Sequence, residues 1–318
     1  MEKHEYVVES EHEGTRLDQW VAGANSELSR SRAARLIRAG AIMINELSAQ
    51  PATKVRSGDR VAIRMPPASK ILTPEFEPLE VLLETTEFVV INKPPKLTMY
   101  PGAGRPRGTL ANRLIARFPD LRDVGHPTRP GIVHRLDKDT SGVVVVACTH
   151  AAYEHLAKAF AQRDIQKQYL LLVNGQPTPR NGHIDAPVGR DTRKRTRMAV
   201  TRRGRPAETT YEVLGSCADA SLVIARPSSG RTHQIRVHMA AIGHAILGDH
   251  TYGNTKDRAS RTMLHSWSLE FTGIDGRAWI AAAPPPPDFV SAAYTRSLKI
   301  PSTPSSGAKS DGDLPQEL

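Results

Sequence analysis

Residues 131–147 read GIVHRLDKDTSGVVVVA. A short apolar entry leads into six residues, 134–139, of which five ionise: His134, Arg135, Asp137, Lys138 and Asp139. An apolar strand, Val143 to Ala147, follows at once. Charges held between apolar segments are costly to bury without partners, so such a cluster is either a surface loop or an active site. Working outward, apolar runs bounded by turn residues predict strands at 81–83, 88–92, 143–148, 168–173, 208–214, 222–227 and 278–282. Helical spacing predicts helices at 110–118, 150–162, 233–241 and, after the prolines of 284–287, 288–297. Many strands with few crossover helices imply an α+β domain, 79–299, built on a mixed, largely antiparallel sheet.

Upstream lies a compact basic stretch, 6–65. RLDQWV at 16–21 predicts one short helix. A second runs from Ser29 to Arg38, burying Ala33, Leu36 and Ile37, and Gly40 ends it. AIMIN at 41–45 and residues 60–65 read as strands, with Ser57-Gly58-Asp59 as a turn between them. Arg32, Arg35 and Arg38 fall three apart and share a face suited to the RNA backbone. Residues 66–78 carry four prolines and read as a linker. Residues 300–318, rich in Ser, Pro, Gly and Asp, read as a disordered tail.

Composition narrows the class. Forty-three basic residues against 33 acidic give a formal charge of +10, which points to a polyanionic partner. Cys148 and Cys217 are far apart and show no metal-ligand spacing, which argues against a zinc site and a secreted disulfide framework. The N-terminus lacks a signal-peptide core, and 142–148 is too short to cross a bilayer. A cytoplasmic protein with no membrane role is the expectation.

Two further segments carry chemistry. In SSGRTHQIRVH, 228–238, Gly230 permits a turn and Thr232 is the expected N-cap. The helix then opens with His233 and Arg236 on one face, near Arg231, which suits a phosphate or a carboxylate from another loop. Tyr169 begins the apolar strand of 166–175, where a core tyrosine is the plain reading. Arg190, Arg193, Lys194, Arg195 and Arg197 form a basic loop, either solvated or touching phosphate. The acidic pair Asp137 and Asp139 beside His134 also admits a metal-dependent nuclease, and the basic N-terminal stretch admits a catalytically silent RNA binder.

The motifs RLDQWV, SRSRAARLIRAGAIMIN and KVRSGDRV resemble the S4 RNA-binding domain, a small α/β module that grips structured RNA. HRLDKDTSG resembles the signature of the RluA-type pseudouridine synthases. VINKPPKLTMYPG, KQYLLLVNG, DAPVGR and GRTHQIRVHMAAIGHAILGD are similar to further motifs of that family, in the same order. With its S4-like module the chain is similar to the family's D type, which modifies the large ribosomal subunit. One departure stands out: Tyr100 precedes Pro101 where the family commonly has histidine. The resemblance implies Asp137 as nucleophile, Arg236 as the partner that keeps it ionised, and Tyr169 as the active-site tyrosine. It implies Arg135 as the residue that opens the RNA stack; Arg231 and His233, at the phosphate-suited start of the 233–241 helix, are expected as further RNA contacts. It implies no cofactor and no metal. The implied partner is RNA, foremost large-subunit ribosomal RNA, with no obligate protein partner.

Overall fold

A computed structural model describes the chain except residues 1–2, 26–27, 29, 65–71, 103–105, 195, 254–258 and 310–318, and except the side chains of 3, 31, 32, 35 and 64. The chain forms two compact units, Met1–Ile71 and Leu72–Leu318.

In the first unit the strands β1 (Lys3–Val7), β2 (Ile42–Ile44), β3 (Leu47–Ser48) and β4 (Arg60–Arg64) form an antiparallel sheet in the order β1-β4-β2-β3. Helices α1 (Leu17–Ala24) and α2 (Arg30–Arg38) supply the rest of the core. Leu17, Trp20 and Val21 from α1 meet Ala33, Leu36 and Ile37 from α2 and Ile42, Val61 and Ile63 from the sheet. The apolar face of α2 is therefore the expected one, and Arg30 and Arg38, the two arginines of this helix whose side chains are described, are exposed. Asn45 (φ 48°) and Glu46 (φ 67°) make the two-residue turn between β2 and β3, where the twist of a hairpin asks for positive φ.

The second unit contains β5 (Glu80–Glu84), β6 (Phe88–Lys93), α3 (Leu110–Arg117), β7 (Gly125–His126), β8 (Arg129–Pro130), β9 (Ser141–Ala147), α4 (His150–Gln162) and β10 (Gln166–Asn174). There follow β11 (Asn181–Asp185), β12 (Val188–Arg190), β13 (Met198–Val200), β14 (Glu208–Ser216), β15 (Ala220–Pro227) and α5 (Gln234–Ala241). The chain continues through β16 (Leu264–Thr272), β17 (Ala278–Ala282), α6 (Pro287–Tyr294) and β18 (Gly307–Ala308). Ten of these strands make one sheet, in the order β11-β14-β15-β10-β16-β9-β6-β5, with β17 also on β16 and β18 on β17. Of the pairings in this sheet, β16 with β9 is parallel and the others are antiparallel. The α+β class with a mixed, largely antiparallel sheet is as expected.

The register positions the site. Ser266 of β16 lies opposite Gly142 of β9 on one side and Tyr169 of β10 on the other. The charged loop that ends at Gly142 and the tyrosine of β10 are thereby brought to one place on the sheet. Gly142 has φ +110°, and a Cβ there would stand 2.1 Å from the Ser266 carbonyl oxygen, so only glycine lets the two strands approach.

Three expectations need correction. The tail is not disordered from residue 300: β18 pairs with β17 and the Ser306 hydroxyl donates to Ala282 O, which hold 300–309 against the sheet edge, while 310–318 lie outside the described residues. The linker is shorter than 66–78. Leu72 is buried in the second unit, Asn112 donates to Thr73 O and Arg113 to Pro78 O, so 72–78 pack there, and 65–71 lie outside the described residues. Thr232 does not cap α5. His233 occupies that position in the left-handed region (φ 57°), and the Gln234 side chain accepts from Arg231 N.

Candidate active site

Asp137 stands at the centre. Arg236 Nη1 donates to its Oδ2 at 3.2 Å, and His233 Nε2 lies 3.8 Å from the same oxygen. These two side chains project from the start of α5, where the turn 228–233 delivers them. Arg236 is fixed from behind by Asp249, whose Oδ2 and Oδ1 accept from Nε at 2.7 Å and Nη2 at 2.8 Å. Such a bidentate pairing sets both position and plane of the guanidinium. Asp249 is fully buried and its Oδ1 also accepts from Thr251 N and Tyr252 N. Burial pulls the Arg236 pKa down, and the Asp249 hydrogen bonds and charge more than reverse this, leaving it above its ordinary value. One guanidinium thus spends two donors on a structural carboxylate and offers a third to Asp137.

His233 is neutral at pH 7, because burial holds its pKa below the usual value against the pull of Asp137. Its tautomer follows from its neighbours. Met198 N donates to the Tyr252 hydroxyl at 2.9 Å, and that hydroxyl lies 2.8 Å from His233 Nδ1. Tyr252 therefore donates its single proton to Nδ1, which leaves the Nε2–H facing Asp137.

Tyr169, Arg135, Asp137, Arg231, His233 and Arg236 line one open cleft. Burial, with Asp137 adding to it, pushes the Tyr169 phenol up to about 12, so it is protonated at pH 7. Arg135 is exposed. It donates to the Tyr100 hydroxyl at 3.0 Å, and its guanidinium sits 5.5 Å from the centre of the Tyr100 ring. Tyr100, the departure from the expected histidine, is therefore the dock of Arg135. Arg231 donates to Pro206 O, and burial with the nearby Arg205 and Arg163 lowers its pKa.

His134 has a structural place. Val145 N donates to its Nε2 at 2.9 Å, its ring stacks on Phe160 at 4.5 Å, and burial pushes it down to about 3. Its Nε2 is not free to bind a metal, so Asp137, Asp139 and His134 do not make a metal site. Lys93, fully buried, donates to the carbonyls of Pro94, Leu97 and Lys138. It anchors the backbone next to Asp137.

On the N-terminal unit Arg38 is exposed, and the side chains of Arg32 and Arg35 lie outside the described residues. Arg30 differs from a free RNA-facing cation, since its Nε lies 3.3 Å from the buried Asp18, which Arg16 also holds. Asp249, Tyr252 and Lys93 were not singled out from the sequence. The available signal was Arg236 within the largely apolar helix QIRVHMAA, where a buried arginine demands a counter-ion.

The chain matches the RNA pseudouridylate synthase family over residues 87–241 and the S4 domain over 15–61. It is 41% identical over 268 residues to an "uncharacterized RNA pseudouridine synthase" of Chloroflexus aurantiacus, covering 83% of this chain and 84% of that one. It is 40% identical over 263 residues to the "ribosomal large subunit pseudouridine synthase D" of Zymomonas mobilis, covering 81% and 82%. Among solved structures it superposes on human RNA pseudouridylate synthase domain containing 1 with a TM-score of 0.56 at 30% identity, over 69% of this chain and 86% of that one. With the motifs in order, the sheet in place and these relatives spanning most of its length, the chain belongs to the RNA pseudouridine synthases, and to those that carry an S4 domain.

Proposed function

We propose that this enzyme converts uridine to pseudouridine in large-subunit ribosomal RNA, in the cytoplasm, with Asp137 as nucleophile and without cofactor or metal. The observation that carries the reading is Asp137 Oδ2 held by Arg236 in a cleft shared with Tyr169. The target is supported by the S4 domain and by relatives named ribosomal large subunit pseudouridine synthase D, in Zymomonas mobilis and Vibrio parahaemolyticus. Residues 6–65 grip the RNA, with Arg32, Arg35 and Arg38 on phosphates, and 79–299 carry the chemistry.

The reaction breaks the N1–C1′ bond, turns the uracil and joins C5 to C1′. The C5 proton leaves and N1 gains one, so the product is an isomer and no electrons are exchanged. Asp137 attacks or stabilises the electron-poor C1′ and then departs. Arg236 sets the carboxylate's aim. The Tyr169 ring stacks on the turned base, and its hydroxyl, a neutral phenol, relays the C5 proton by giving up its own to solvent as it takes the one from C5. Arg135 leaves its dock on Tyr100 and fills the gap left by the flipped nucleotide, which reduces the cost of opening the stack. Arg231, on the cleft wall, contacts RNA phosphate. His233 serves through its Nε2–H beside Asp137 and not as a charged phosphate ligand. The nuclease reading is not favoured, because His134 is committed to Val145 N.

The test is purified enzyme on unmodified large-subunit ribosomal RNA, with EDTA and no cofactor, followed by mapping of carbodiimide adducts as reverse-transcription stops. New stops at defined uridines support the reading. Intact binding without stops there, and stops on transfer RNA, would move the substrate. Cleaved RNA would refute the synthase chemistry.

A further inference from the structure

Arg261 takes no part in the chemistry above, yet its side chain is 1% exposed and uses every nitrogen. Nε and Nη2 donate to the Asp288 carboxylate at 2.7 and 3.0 Å. Nη1 faces the carbonyls of Asp139 and Thr262 at 3.0 Å and of Leu264 at 3.3 Å. Nη2 also donates to Ser141 Oγ at 3.3 Å. Two of these acceptors, Asp139 O and Ser141 Oγ, lie two and four residues after Asp137 on the same loop.

The hydrogen bonds run one way. His265 is fully buried, and burial pushes its pKa down to about 4, so it is neutral. Its Nε2 lies 2.9 Å from Ala283 O, a pure acceptor, and so carries the proton. Its Nδ1, 3.0 Å from Ser141 Oγ, must then accept from that hydroxyl. Ser141 Oγ in turn accepts from Arg261. The loop's rear end is fixed by a donor chain from Arg261 through Ser141 and His265 to Ala283. The backbone of Arg261 is itself held close to the site: a Cβ on Gly248 (φ +73°) would stand 1.9 Å from Arg261 O, and Gly248 immediately precedes Asp249. The turn that seats Asp249 against Arg236 therefore also seats Arg261 against the loop.

We propose that Arg261, neutralised by Asp288 at the start of α6, is a positioning residue for Asp137: it holds the backbone of 137–141 so that the carboxylate meets Arg236 and the substrate. The proposal rests on the synthase reading for the identity of the reaction. A guanidinium suits the task because its planar donors serve a carboxylate, carbonyls and a hydroxyl at once, which an ammonium cannot do.

The experiment compares wild type, Asp288→Asn, Arg261→Lys and the double variant. It measures the single-turnover rate of pseudouridine formation at saturating enzyme, the Kd for RNA, the Tm, and amide hydrogen exchange over 137–142. Misplacing a reacting group by about 1 Å costs on the order of 100-fold, the loss expected for Arg261→Lys. Asp288→Asn, at a half-exposed site that tolerates substitution better, loses about tenfold. RNA Kd stays within about twofold in both, since neither residue lines the cleft. The double variant is no slower than Arg261→Lys, because Asp288 acts through that side chain. Loop amides exchange faster in both. Wild-type rates in folded variants would overturn the proposal. So would a rate loss matched by an equal loss of RNA affinity, or independent slowing in the double variant. If Arg261→Lys does not fold, Asp288→Asn decides. If wild type modifies no RNA, the synthase reading fails, and the exchange arm still judges the clamp: unchanged protection in Asp288→Asn overturns it.

Discussion

Replacing Asp249 by Asn keeps the shape of the side chain and removes its charge. In the wild type Oδ2 accepts from Arg236 Nε at 2.7 Å, while Oδ1 accepts from Nη2 and from the amides of Thr251 and Tyr252. An asparagine NH₂ in either position would face at least one N–H donor. Arg236, with its side chain 10% exposed, would retain Asp137 as its carboxylate partner, at 3.2 Å. Breaking a buried ion pair from one side costs about 3–5 kcal/mol, and the surviving contact to Asp137 argues for the low end, about 3 kcal/mol. For a unit of this size that lowers Tm by about 6–12 °C. The effect depends on pH with a definite sign. Burial raises the Asp249 pKa, but the Arg236 hydrogen bonds and charge lower it further, for a net depression. The stabilisation is therefore present above the unfolded carboxylate range and is lost as pH falls through the folded pKa. Urea melts at pH 7 and at successively lower pH, alongside turnover, test this. A loss below about 1 kcal/mol with turnover intact would refute the claim that Asp249 anchors Arg236.

Other outcomes follow from the same contacts. Burial pushes Lys93 down to about 7, so from pH 7 towards 10 the unfolded chain holds one proton more than the folded one and stability rises, by at most about 1.4 kcal/mol per pH unit. Denaturant melts of wild type and Lys93→Met across that window check it: the variant lacks this part of the slope. Gly142→Ala forces a Cβ against Ser266 O, and a loss of at least about 3 kcal/mol, or failure to fold, is expected in thermal melts. Reversing Arg32, Arg35 and Arg38 to Glu weakens RNA binding and flattens the plot of log affinity against log salt by about 0.9 per lost phosphate contact on a duplex, read by filter binding at several salt concentrations.

Much of the fold was legible because local signals agreed with it. Ala33, Leu36 and Ile37 at helical spacing, and the run VVVV before Ala147, could fold in few other ways. The central strand β16 was not legible. Its sequence, LHSWSLEFT, mixes His265, Ser266 and Ser268 into a segment buried on both faces, and such a strand ordinarily reads as continuously apolar. The His265 ring is bonded to Ser141 Oγ and Ala283 O, partners distant in sequence that no local pattern reveals. The same holds at the site. Asp137, Tyr169 and Arg236 could be picked out by motif, whereas Asp249 and Arg261 work through contacts that exist only once the turn at Gly248 is folded. The reading of 300–309 as disordered failed because a low-apolar segment can still be held by backbone pairing to an open edge, here β17.

The central claim is that Asp137 performs the chemistry. Asp137→Asn removes one charge at a side chain that is 20% exposed and bonded to Arg236, so the fold and RNA grip should survive. The direct measurement is single-turnover pseudouridine formation on the mapped RNA by wild type and Asp137→Asn, with RNA affinity measured on the same preparations. The account predicts no detectable product from the variant at an RNA Kd close to wild type. A rate within about tenfold of wild type, a barrier change of only about 1.4 kcal/mol, would contradict it and remove Asp137 from the mechanism.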